Sequence, residues 1–252
     1  MKKIISLLLV LALCLSLCAC SLANVSDILN PKIEGRGYDS PEEAFLAYTE
    51  ALKTGDVSKI LATFAIETYV ENYDVEEFLD TYRSYTLGSS FLDGNTPYTK
   101  QLNLIARQDQ ISRQLQYLYA YISMGDEINR TIITLTGNPY DDAGEFMDKF
   151  VMDDWMEILA EMQVDDDFQY LDDFMDDKNL DRAEEQLEDQ CNIYGCEEIV
   201  PLALEVELDG EEYLMTINVA RYGDKWYNLT LYGTIASVVG ASQFTAGLCS
   251  EY

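Results

Sequence analysis

The chain has 252 residues, of which 48% are hydrophobic and 12% aromatic. That supplies a sizeable core and excludes a disordered chain. Against 46 acidic residues stand 16 basic ones, for a formal charge of −30. With no concentrated basic cluster, nucleic-acid binding and attachment to anionic lipid through a polybasic face are excluded. Histidine is absent, which removes Ser-His-Asp and Cys-His nucleophile activation, HExxH zinc sites and imidazole proton shuttling.

The N-terminus reads as a secretory leader. Met1-Lys2-Lys3 is a short basic opening, and Ile4 to Leu17 is an uncharged apolar run, too short to span a bilayer. It ends in Leu17-Cys18-Ala19-Cys20. This ending resembles the lipobox of bacterial lipoproteins, with Leu at −3, a small residue at −1 and Cys at +1. Cys18 at −2 is a departure the motif tolerates. The resemblance implies cleavage after Ala19 and lipid on Cys20, placing the chain on the extracytoplasmic face of the cell membrane. At least two acyl chains on such a cysteine suffice for stable anchoring. Loss of residues 1–19 takes Lys2 and Lys3 and leaves 233 residues with a formal charge of −32.

Residues 20–37, with Pro31, Gly35 and Gly37, read as a lipidated tether, and a single domain is expected from 38 to 252. Ser40, Pro41 and Glu43 read as N-cap, N1 and N3 of a helix with a capping box, and Ala44, Phe45, Tyr48, Ala51 and Leu52 share one face. Gly55 stops this helix, and Asp56 caps a short second one carrying Val57, Ile60, Leu61 and Phe64. Residues 72–80 read as a helix or an irregular link, and 88–97 as a loop. Residues 98–123 form a long helix with a stripe of Leu104, Ile111, Leu115, Leu118 and Ile122. Its net charge is +2, from Lys100, Arg107 and Arg113 against Asp109. Residues 130–136 read as a short strand rich in β-branched residues.

Residues 141–189 hold 20 acidic side chains against Lys149, Lys178 and Arg182. Apolar residues recur there at helical spacing, Phe168, Leu171, Phe174 and Met175 among them, so two or three amphipathic helices with acidic outer faces are expected. The basic 98–123 helix is expected to pack against them with charges facing. Beyond Val200 the period becomes two. Val200 to Leu208, Tyr213 to Val219 and Lys225 to Tyr232 read as three strands joined by turns at Asp209-Gly210 and Arg221–Asp224. Residues 233–244 read as a short helix or packed tail. The fold class is α+β, with several amphipathic helices on a small curved antiparallel sheet that ends in a C-terminal meander.

Residues 40–64 and 205–233 resemble the first helices and the closing strands of the NTF2-like (SnoaL-like) superfamily. The resemblance implies a cone of helices on a curved sheet around a pocket. The long middle, residues 70–198, departs from that compact pattern. The chain is also similar in style to anchored lipoproteins of Gram-positive gut bacteria.

Cys191, Cys196 and Cys249 remain in the mature chain besides Cys20. Cys191 and Cys196 are a candidate disulfide, and free, partly buried thiols are the alternative. No CxxC pair or four-ligand zinc pattern is present. Asp165 to Asp177 lacks the glycine of an EF-hand loop and carries apolar side chains where a loop would be polar, so a solvated acidic face is the reading and no metal site is expected. Paired carboxylates for acid/base chemistry are not singled out among 46 acids. Tyr213, Trp226 and Tyr227 are candidates for a ligand pocket, as are Tyr117, Tyr119 and Tyr121; packing in the core is the alternative. Arg107, Arg113 and Arg130 are candidates for a substrate carboxylate, or for pairing with the acidic helices. No cofactor is implied. The expected role is non-catalytic binding or an accessory task at the envelope, with a small molecule or an envelope protein as partner. A histidine-independent hydrolase or isomerase using Asp/Glu and Tyr is one alternative, and a structural or interaction module is another.

Overall fold

The computed structural model of the protein describes residues 32–85, 91–124 and 152–250. The chain divides into two compact units, residues 1–33 and 34–252, and of the first only Lys32 and Ile33 are described. The leader, Cys20, Arg130, the expected 130–136 strand and residues 141–151 of the acidic stretch lie outside the described residues.

Helix α1 (Pro41–Lys53) starts where Ser40 Oγ accepts the Glu43 N–H at 3.1 Å. The Glu43 carboxylate reaches the Asp39 N–H instead of that of Ser40, so the expected box is displaced by one residue. Its buried face carries Phe45, Tyr48 and Leu52, and Tyr48 meets Phe64 edge-on. Gly55 (φ 63°) ends the helix in the left-handed region, and Asp56 caps α2 (Val57–Leu61). Helix α3 (Glu67–Asn72) has no cap from its own N-cap residue, Ile66. Glu34 supplies it from 32 residues upstream, accepting from Ile66 N at 2.7 Å and Thr68 N at 2.9 Å. Asp74 caps α4 (Val75–Tyr82), so most of the doubtful 72–80 segment is helical.

Helix α5 (Pro97–Met124) matches the expected long helix, with a different buried row. Asn103, Arg107, Ile111, Leu115, Leu118 and Tyr121 are buried, while Leu104 is only half-buried. The stripe therefore begins on polar residues. Asn103 earns its place by bonding both backbone groups of Leu92, at 2.8 and 2.9 Å.

Two helices form in the described part of the acidic region, as expected, but the 168–175 segment is not helical. After α6 (Met152–Ala160), β1 (Gln163–Val164) and β2 (Gln169–Tyr170) form, and a 3₁₀ turn (Leu171–Asp173) follows. Short aspartate side chains compete for backbone N–H groups and favour turns and caps over helix interior. Asp165 bonds the Asp167 N–H, Asp173 bonds that of Tyr170, and Asp176 caps α7 (Asp177–Tyr194) through the Asn179 N–H. The strand pairs form because the neighbouring sheet edge offers unpaired backbone groups. Gln163 and Val164 pair with Glu207 and Val206, and Gln169 and Tyr170 with Ala203 and Leu202.

The sheet is antiparallel and curled. It is built on β3 (Glu198–Leu208), β4 (Glu211–Tyr222) and β5 (Lys225–Thr230). Asp209 and Gly210, both at positive φ, make the first hairpin turn. The β4–β5 register shifts at Asn218/Val219; β5 pairs with residues 218–222, and β6 (Leu248–Cys249) pairs with 214 and 215. Strand β4 is buried at every position from Leu214 to Ala220, which requires cover on both faces. Helix α1 packs on β3, β4 and β5; α7 packs on β3; and α8 (Thr234–Val238) packs on β3 and β4. Asn228, fully buried on β5, ties these layers together through its amide N–H groups to Ala44 O at 2.7 Å and Thr63 O.

Candidate functional site

A cavity of about 700 Å³ opens where α3, α4, α5, α7, β5 and α8 converge. One wall is aromatic. Tyr69 and Tyr73 sit at i, i+4 across the end of α3, and Tyr194 closes α7. Ring centroids lie 5.1 Å apart for Tyr69–Tyr194 and 4.6 Å for Tyr73–Phe91. Phe78 of α4 continues the wall at 6.1 Å from Tyr73. Polar side chains complete the lining, Gln110, Gln186 and Gln190 among them.

Arg107 lines this cavity and is 5% exposed. Its Nε–H donates to Ala65 O at 3.0 Å, one terminal nitrogen to Leu229 O at 2.6 Å, and the other to Gln110 Oε1 at 3.4 Å. The guanidinium lies 4.0 Å from the centre of the Tyr69 ring. No carboxylate among the described residues comes within ion-pair distance of it. Arg113, two turns on, is exposed and pairs with Asp109 of its own helix. Among the described residues, the expected facing of 98–123 and the acidic helices is therefore absent at both arginines. Arg107 turns into the core, and Arg113 is satisfied locally at i, i+4.

Burial pushes the Tyr69 hydroxyl well above its ordinary value, against the pull of Arg107 beside it. Burial also raises Tyr73, and raises Tyr194 to about 12. All three hydroxyls keep their protons at neutral pH and can donate. The carboxylate in the lining is Asp109, exposed and held by Arg113.

The structure does not bring Tyr213, Trp226 and Tyr227 together at this cavity. Tyr213, half-buried on β4, bonds Glu211 through its hydroxyl. Trp226 is buried with the Arg221 guanidinium over its ring at 5.6 Å. Tyr227 is buried edge-on to Tyr222, beside Gly37. Of the α5 tyrosines, Tyr117 lines the cavity, Tyr119 stacks on Trp155, and Tyr121 bonds Ser250. Tyr69, Tyr73, Tyr194, Gln186 and Gln190 were missed, although the i, i+4 spacing of 69/73 and 186/190 is a signal that each pair shares a helix face.

Cys191, Cys196 and Cys249 are free thiols. The Cys196 thiol beside Cys191 lowers Cys191, and Cys191 in turn raises Cys196, so the two candidate partners are neighbours. Burial raises Cys249 to about 11. A second hollow of about 440 Å³ is lined by Arg36, Gly37, Tyr38, Asp39, Glu43 and Lys225, and is crossed by the exposed Asp39–Lys225 pair. Among the described residues no cluster of Cys, Asp and Glu is placed to hold a metal ion, and no helix is long and apolar enough to cross a membrane.

No family model matches the chain, and no curated protein matches it. The chain is similar to a solved structure of a cystatin-like protein from Ruminococcus gnavus ATCC 29149, at 12% identity and a TM-score of 0.43. The match covers 82% of this chain and 42% of that one, so the chain spans less than half of that protein's length.

Proposed function

We propose that this chain is a bacterial envelope lipoprotein, anchored by lipid on Cys20, whose domain binds a small polar molecule and catalyses nothing. The observation that carries the reading is the cavity of about 700 Å³, which lies within the size range of small-molecule sites and joins an aromatic wall to several convergent polar groups. The hydrolase or isomerase alternative calls for a buried carboxylate in the cavity. Asp109, exposed and paired, is a poor candidate for that task. The NTF2-like resemblance belongs to the same proposal. It is supported by the way the two resembling stretches meet, Asn228 of the second bonding Ala44 and Thr63 of the first.

Two measurements test the reading. Native mass spectrometry of the full-length chain, extracted in mild detergent, should reveal a stoichiometric small molecule; an empty protein that also binds nothing from a metabolite extract would refute the cavity's role. Fatty-acid labelling should mark the wild type and not Cys20→Ala, and label on the variant would refute the anchor.

A further inference from the structure

The cavity reading above leaves the ligand's chemistry open, and Arg107 narrows it. A guanidinium has five N–H groups. Three of Arg107's have partners, one on each nitrogen, so each terminal nitrogen retains one more N–H. Taking a cation out of water without a counter-charge is expensive, and two carbonyls and a ring face replace only part of its hydration. An arginine is also the side chain best shaped for a planar, two-oxygen anion.

We propose that the cavity selects an organic monocarboxylate with a planar or aromatic body, the carboxylate seated on the terminal N–H groups of Arg107. The inference rests on the cavity being a ligand site. The charge count favours a single negative charge: the lining holds Arg107, Arg113 and Asp109, and the last two satisfy each other. A second ligand charge would meet no cation, in a chain that carries −30. The body of the ligand stacks on the half-buried rings of Tyr73 and Tyr194, and Tyr69, 4% exposed and covered by the Arg107 guanidinium, backs them. None of those three hydroxyls, and neither amide of Gln186 and Gln190, bonds to a described residue, so they are available to polar atoms on the ligand's far end. A neutral sugar would leave the Arg107 charge uncompensated, and an alkyl chain would leave these hydroxyls and amides without partners.

The test uses the full-length chain in a non-ionic detergent, titrated calorimetrically with indole-3-acetate and 4-hydroxyphenylacetate, each beside its primary amide, and with 4-hydroxybenzyl phosphate. At least one acid should bind at least tenfold more tightly than its amide and than the phosphate. Arg107→Met should erase the acid's advantage, and Lys225→Met, at the second hollow, should keep it. The acid–amide comparison on the wild type stands even if Arg107→Met fails to fold. An amide as tight as its acid, or a phosphate tighter than both acids, overturns the carboxylate and leaves the cavity reading intact. Binding of none of the five compounds overturns the carboxylate, and the cavity reading falls with it only if the protein also purifies empty and binds nothing from a metabolite extract.

Discussion

Glu34 offers the sharpest test of how this domain is closed. Its side chain is buried, and its carboxylate accepts the N–H groups of Ile66 and Thr68 and the Thr68 hydroxyl. Ile66 is fully buried and has no side-chain capping bond of its own. Glu34→Ala therefore strands two backbone donors at the start of α3, one of them with no route to water. An orphaned donor costs about 1–3 kcal/mol, and the Thr68 donor, only part-buried, falls below the top of that range, so the loss should be about 2–5 kcal/mol. For a unit of this size that corresponds to roughly 5–20 °C in Tm, at about 2–4 °C per kcal/mol. Glu34→Gln keeps an acceptor oxygen and gives up only charge assistance, for a loss of about 1 kcal/mol. A chain beginning at Tyr38 should lose at least as much as Glu34→Ala, because it also forfeits the Gly35 N–H bond to Ala62 O. Urea and thermal melts followed by far-UV circular dichroism give the comparison. An alanine variant within about 1 kcal/mol of wild type, or a glutamine variant as damaged as alanine, would refute the capping argument.

Three further outcomes are expected. Burial raises the hydroxyls of Tyr48, Tyr69 and Tyr222 above the ordinary value of 10.0, and Tyr194 to about 12. The folded chain holds these protons while the unfolded chain releases them, so stability is intact below about pH 10 and falls above it, by up to about 1.4 kcal/mol per pH unit per tyrosine; melts that show no loss between pH 9 and 11 would contradict this. Gly195→Ala should cost more than about 2 kcal/mol, because φ is +63° and the new Cβ would stand 2.3 Å from the Asn72 carbonyl oxygen, as urea titration can check. Cys249, buried and raised to about 11, should resist iodoacetamide at pH 8 until urea unfolds the chain, and peptide mass mapping that finds it modified first would oppose the placement.

Local chemistry made much of the frame legible. Ser40, Gly55, Asp56 and the Asp209-Gly210 turn act through their own backbone neighbourhood, and the alternation from Val200 onward reports strands, although β4 is covered on both faces rather than one. What was not legible depends on partners far along the chain. Phe168, Leu171, Phe174 and Met175 carry a helical period, yet β2 and a 3₁₀ turn form there because β3 presents an open edge and the aspartates take backbone donors. Glu34 falls in the stretch read as tether from Pro31, Gly35 and Gly37; its role exists only once α3 has come within reach.

Arg107 carries the same lesson to the site. On a helix wheel it lies in line with Ile111, Leu115 and Leu118, and a reader assigning charge to the outside breaks the stripe there or moves it to Leu104. The wheel geometry was right and the polarity rule was the error. A buried row admits an arginine when the facing backbone supplies acceptors and a ring covers its plane, as Ala65 O, Leu229 O and Tyr69 do. Those groups hold the side chain without neutralising it. In a protein with nearly three acidic residues for each basic one, an ion pair would have been the easier solution wherever charge only had to be stabilised. A cation held among neutral acceptors at a cavity wall instead leaves its charge uncompensated, and the binding role proposed for Arg107 rests on that.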